Sequence, residues 1–198
     1  MKPFPSVSHM RWRRLDVPGQ EEARIEQTAG GWRLTGQVKA EETSIRAQLR
    51  YVIECAHDWR TQWAVVTGSA SAAPIRLEFV ADGAGHWRLN GSPLPLVEGA
   101  LDIDLGFTPA TNLLPIRRLD LAVGQRADVR TAWVRFPELR VEPLEQSYQR
   151  EATRVFRYDA LVDGESFRAR LDTDEFGRVL HYEGLWEAES ASPNPDHT

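Results

Sequence analysis

A chain of 198 residues with a formal charge of −5 and one cysteine, Cys55, is long enough for a single domain that buries roughly 70% of its unfolded surface without a covalent staple. The acidic balance speaks against nucleic acid and anionic membrane surfaces, which select a basic face, and a lone cysteine allows no intrachain disulfide. No window holds the eighteen or more apolar residues of a membrane helix, and Met1-Lys2-Pro3-Phe4-Pro5-Ser6 lacks the apolar run of a signal peptide, so the expected setting is cytoplasmic, with no integral membrane association.

Residues 1–10 carry two prolines and no periodicity and are expected to form a loose tail, with Met10 an alternative start. One β domain is expected over residues 11–188. Strand-like runs follow one another at Trp12 to Asp16, Ala23 to Thr28, Trp32 to Lys39, Ile45 to Glu54, Arg60 to Thr67, Ile75 to Val80 and His86 to Leu89. Between them stand Pro18-Gly19, Gly30-Gly31, Asp82-Gly83-Ala84-Gly85 and Asn90-Gly91. The last two are hairpin signals, because Gly after Asp or Asn supplies the positive φ that primed turns need. Ile45, Ala47, Leu49, Tyr51 and Ile53 share one face against Arg46, Gln48 and Arg50 on the other, the mark of a sheet with one buried side.

The stretch from Leu101 to Leu121 is expected to organise the fold. Leu101, Ile103, Leu105 and Phe107 alternate with Asp102 and Asp104 and predict a strand with an acidic face. Thr108-Pro109 predicts the start of a helical turn, with Thr as cap and Pro at the first position, that closes at Pro115. Ile116 to Leu121 then reads as a second strand. Further strands are expected at Ala127 to Arg135, Leu139 to Val141, Thr153 to Leu161, Ser166 to Asp172, Arg178 to Tyr182 and Leu185 to Ala188, with a helical turn near Pro143 to Arg150. Residues 189–198 read as a polar tail. So many short strands predict an all-β fold: a single, mostly antiparallel sheet curled into a half-barrel or barrel-like roll, with one or two short helical turns.

Seven tryptophans include four followed by arginine, at Trp12, Trp32, Trp59 and Trp87. Neighbours in a strand face opposite sides, so each buried indole brings an arginine to the other face. Either the indoles are core and the arginines solvated, or the concave side mixes rings with guanidinium groups. Asp102 and Asp104, two apart on a strand, place their carboxylates on one side at about 6.6 Å between Cα atoms. They can pair with Arg117 and Arg118 from the adjoining strand, bind a polar ligand, or serve as an acid and base in glycoside hydrolysis. The five histidines show no metal-ligand spacing, and Cys55, His57 and Asp58 point different ways on a strand or loop. Glu145, Gln146 and Tyr148 are expected in a loop or turn, with hydrogen-bonding roles.

Asp102-Ile103-Asp104-Leu105-Gly106-Phe107-Thr108-Pro109-Ala110-Thr111-Asn112-Leu113-Leu114-Pro115-Ile116-Arg117-Arg118-Leu119 resembles the hallmark of the bacterial putative glycolipid-binding family, formerly a domain of unknown function. Trp12-Arg13-Arg14-Leu15-Asp16, Gly31-Trp32, Trp59-Arg60-Thr61, Asn90-Gly91 and Pro143-Leu144-Glu145-Gln146 extend the likeness over nearly the whole chain. The resemblance implies a half-open antiparallel sheet, similar in shape to bacterial lipoprotein carriers, whose hollow takes a lipid or glycolipid. It assigns no catalytic residues. The family pattern has Cys where Ala100 stands here, which argues against a shared thiol chemistry.

The resulting expectation is a non-enzymatic protein that binds a glycolipid or other amphipathic small molecule, with no cofactor and no metal. Asp102, Asp104, Arg117, Arg118 and Arg60 would meet the head group, and Trp59 and Trp133 would form stacking walls. The rival readings are an enzyme acting on a carbohydrate or lipid through Asp102 and Asp104, and a protein-interaction scaffold.

Overall fold

Alternation carries most of the chain into strands, as a computed structural model describing residues 4–42 and 45–189 shows. In chain order they are β1 (Val7–Arg14), β2 (Gly19–Thr28), β3 (Gly31–Glu42), β4 (Ile45–Cys55), β5 (Thr61–Ala70), β6 (Ala73–Ala81), β7 (Trp87–Leu89), β8 (Ser92–Pro93) and β9 (Asp102–Leu105). One helix, α1 (Leu113–Leu119), precedes β10 (Arg126–Arg135), β11 (Arg140–Ala152), β12 (Val155–Val162), β13 (Glu165–Thr173), β14 (Val179–Tyr182) and β15 (Trp186–Ala188). Among the described residues all fifteen strands form one sheet, ordered β8-β7-β6-β5-β4-β3-β2-β1-β15-β14-β13-β12-β11-β10-β9. Every pairing is antiparallel except β9 with β10. Asn90 and Gly91, at φ 49° and 83°, turn β7 into β8 as their sequence predicts.

The sheet curls. The Thr61 amide on β5 donates to the Leu101 carbonyl at 3.0 Å, and the Ile103 amide donates to Thr61 Oγ1 at 3.1 Å. These two bonds bring β9, at one end of the order, against the fourth strand from the other end. The roll is drawn together without a ladder closing it. Parity selects the inner face: Ala47, Leu49, Tyr51 and Ile53 are at most 3% exposed while Arg46, Gln48 and Arg50 are exposed.

A parallel pair cannot be joined by a tight turn and requires a crossover. Here residues 106–125 make it through the hollow, and Phe107 to Ile116 are buried without a break. Thr108 opens the descent, its hydroxyl accepting from the Ala110 amide at 2.9 Å. A 3-10 turn over Ala110–Asn112 leads into α1. The predicted strand over Ile116 to Leu121 is therefore a helix through Leu119, and Pro115 lies inside its first turn instead of ending it. Proline is tolerated there because the first-turn N–H groups have no intrahelical partner to lose. The hollow expected to receive a ligand is thus filled through its middle by the chain itself.

Two other expectations need correction. Val7 to Met10 belong to β1, and Phe4 is buried against Trp32 and Trp59 at ring distances of 5.3 and 5.5 Å, so the tail does not reach residue 10. The alternation is hidden there because an inward position is polar: Ser8 is buried and accepts from Arg178. The helical turn near Pro143 to Arg150 is continuous β11. β12 pairs with β11 only from Gln146 onward, so Pro143 sits where the strand has a free side and no ladder bond to lose. The expected tail from 189 onward lies outside the described residues, save Glu189.

Candidate functional site

Asp102 and Asp104 face the crossover, as alternation requires, and their fates differ. Asp102 is fully buried, and Arg118 forks onto it, with Nη2 at 2.6 Å from Oδ2 and Nε at 3.1 Å from Oδ1. The predicted ion pair exists, but its arginine comes from α1. Burial raises the Asp102 carboxyl, and Arg118 pulls it back. Asp104 keeps part of its surface and accepts from Gln146 Nε2 and, at 3.4 Å, from Thr111 Oγ1. Among the described residues no cation pairs with it, and burial lifts its carboxyl from 3.8 to about 6.

Around Asp104 the register assembles a group of phenols. Tyr148 and Tyr158 stand opposite each other on β11 and β12, their rings 5.2 Å apart. Tyr158 is 5.9 Å from Tyr182 and 6.1 Å from Phe167. The Tyr148 hydroxyl donates to Asn112 Oδ1 of the crossover at 2.9 Å. Burial pushes all three phenols well above their usual range and the Asp104 charge adds to it, so at neutral pH each is a hydroxyl donor. Three of the chain's four tyrosines thus lie within the field of the β9 carboxyl that no cation pairs with among the described residues. Gln146, which donates to Asp104, is reached by the Tyr148 hydroxyl at 3.5 Å. Phe167, beside Tyr158 and Tyr182, is half-buried, as is Leu119 at the end of α1.

The other sequence candidates divide about α1. Successive helix residues point about 100° apart, so Arg117 turns away from Arg118. Its guanidinium lies 5.4 Å from the Trp59 ring and 5.7 Å from Phe4, and Nη1 donates to the Phe176 carbonyl at 3.4 Å. Trp59 stacks on Trp32 at 4.5 Å and 12°, at a positive φ of 71°. This aromatic clamp closes over Phe4. Arg60 leans on Asp58 and donates to the Gly83 carbonyl at 3.1 Å. Trp133 stands in register with Asp104, half-buried under Arg135 at 5.3 Å. A Cβ on Gly106 would come within 2.7 Å of its Nε1, so the crossover leaves β9 past this indole only as glycine.

Sequence reasoning missed Tyr158, Tyr182 and a third inward carboxyl, Glu21 on β2. Glu21 is 1% exposed, and both the Tyr51 and Thr108 hydroxyls donate to its Oε1, at 2.6 and 2.7 Å. Tyr51 reaches it by lying across Gly36, where any Cβ would strike the ring at 2.3 Å. Burial raises this carboxyl to about 8, so it is a neutral acid at pH 7 that latches the crossover to the sheet. A surface cleft of about 320 Å³ lies elsewhere, at one end of β2, β3 and β4, among Gly19, Gln20, Lys39, Glu41, Arg46 and Gln48.

A single curled, unclosed sheet with an internal crossover and a phenol, amide and carboxyl cluster on its inner face defines an all-β protein of half-open roll type. The chain belongs to the family described as "Putative glycolipid-binding", whose pattern matches residues 9–188. The crystal structure of a DUF1089 family protein from Pseudomonas aeruginosa is similar, with 34% sequence identity and a TM-score of 0.77 over 85% of this chain and 91% of that one. No curated protein matches the chain. No helix among the described residues is long and apolar enough to cross a membrane.

Proposed function

We propose that this chain binds an amphipathic glycolipid and releases it unchanged. The head group would meet Asp104, Gln146 and the phenols of Tyr148, Tyr158 and Tyr182, with the apolar part along half-buried Leu119 and Phe167. The observation that carries this reading is the gathering of three tyrosines and Gln146 near a carboxyl that no cation pairs with among the described residues. Sugar hydroxyls donate to carboxylates and accept from phenols, while their C–H faces lie on rings, so this mixture suits a sugar better than an acyl chain alone. The family description supports the ligand class. Because the crossover fills the middle of the hollow, the ligand would lie against its C-terminal side and not in an empty lumen.

Both Asp102 oxygens are held by Arg118, which leaves a two-carboxylate hydrolysis without its second free group. The exposed apolar residues, among them Val80, Leu96, Val123 and Leu161, sit on separate segments and offer a docking scaffold no evident patch. The buried Cys55 thiol suits a reducing, cytoplasmic setting. Native mass spectrometry of protein purified from its own cells tests the reading. A co-purifying glycolipid that is lost in Asp104→Asn supports it, and a ligand-free protein that also fails to take up added glycolipid overturns it.

A further inference from the structure

The charges around Asp104 bear on which head groups this site would admit, an inference that rests on the binding reading above. Arg118 is forked onto both oxygens of a fully buried aspartate, so its charge is already neutralised. Arg117 points to the far side of α1, over Trp59 and Phe4, where Asp120 and Asp174 are the acids that act on it. Arg135, beside Trp133, is held by Asp163 and Glu142. Arg60 is held by Asp58 and the Gly83 carbonyl. Arg150, on the same face of β11 as Tyr148, donates to the Leu121 and Thr153 carbonyls and lies over Phe156. What a ligand would meet is therefore a carboxyl, an amide oxygen and nitrogen, and phenols, and each of these arginines is already engaged elsewhere.

We infer that the site discriminates by charge, accepting uncharged polyhydroxylated head groups and excluding those that carry phosphate or carboxylate. A neutral sugar loses little by leaving water for this surface, because each hydroxyl finds an acceptor or a donor. A phosphate or uronate would be desolvated beside a carboxyl with no counter-charge, the arrangement that buried ions tolerate least. The phenols can donate to an anion, but they cannot neutralise it.

Octyl β-glucoside and octyl β-glucuronide, which differ by one carboxylate at constant chain and ring, read this directly by calorimetric titration of the full chain below their micelle concentrations. The glucoside should bind at least tenfold more tightly. Asp104→Asn should narrow that gap from both sides, weakening the glucoside and strengthening the glucuronide. Asp102→Asn, which releases Arg118, should raise glucuronide binding to the level of the glucoside or above it. The pair-deleting Asp102→Asn/Arg118→Met should restore the preference for the neutral ligand, and it keeps the test open if the single substitution unfolds. Equal binding of the two by the native chain, or a preference for the glucuronide, overturns the charge rule and leaves the binding reading standing. If neither binds and no glycolipid co-purifies, the binding reading fails and the charge rule falls with it.

Discussion

The two flanks of the sheet hold the same crossover with different chemistry. On the β2–β4 side a single acid, Glu21, receives two hydroxyls at 2.6 and 2.7 Å amid apolar neighbours, and burial raises it to about 8. On the β9–β14 side Asp104 receives an amide and a more distant hydroxyl, keeps partial exposure, and rises only to about 6. At pH 7 the first is a neutral fastener and the second a charged acceptor. The contrast teaches that an inward acid is not by itself a site: what separates latch from candidate site is whether hydroxyl donors close around it or it keeps part of its surface with further hydrogen-bonding side chains nearby.

Breaking the element both flanks share should have the largest effect. Phe107 is fully buried, 6.5 Å from Tyr51 on one flank and 6.1 Å from Phe136 on the other. Phe107→Ala should cost about 3–5 kcal/mol in denaturant unfolding. A loss below 1 kcal/mol would mean that the crossover does not organise the core.

Next comes the latch, through pH. Glu21 is raised in the folded state from an ordinary value of 4.5 to about 8, so the unfolded chain ionises first and stability falls as pH climbs between those values. Asp104 adds a similar fall between 3.8 and about 6. Glu21→Gln should therefore flatten the stability profile between about pH 6 and 8, where Asp104 has finished titrating. It should also leave the variant more stable than the native chain at pH 8. An unchanged slope in that window, measured by urea unfolding at a series of pH values, would remove Glu21 from the role of a neutral latch.

Much of the sheet could be read without coordinates because one face per strand is buried. The alternation Ala47, Leu49, Tyr51, Ile53 and the Asn90-Gly91 turn carry their own structure. The crossover was half legible: Thr108-Pro109 announced the turn, but Ile116 to Leu121 mixes apolar residues with Arg117, Arg118 and Asp120 in an order that also suits a strand. Only a parallel β9–β10 pair makes a helix necessary there, and strand direction is not written locally. The Asp102–Arg118 pair reads correctly from the sequence but from the wrong element. Pro143 makes Gln146 and Tyr148 read as part of a turn. Tyr158 and Tyr182 escaped because their meeting with Tyr148 depends on the register of strands ten or more residues apart.

The finest distinction between the flanks is read by one substitution made on each. Tyr51→Phe removes a donor from Glu21, whose other oxygen, Oε2, is buried without a partner among the described residues. It should cost about 1–3 kcal/mol and leave octyl glucoside binding unchanged. Tyr182→Phe keeps a ring 5.9 Å from Tyr158 and 6.4 Å from Phe167 and loses only a hydroxyl. Because that hydroxyl serves no segment of the crossover, stability should change by about 1 kcal/mol or less, while glucoside affinity should drop roughly three- to tenfold, about 0.7–1.4 kcal/mol. If instead Tyr182→Phe destabilises the fold as much as Tyr51→Phe and spares the ligand, the phenols of β11, β12 and β14 are packing, and the flanks differ in polarity alone.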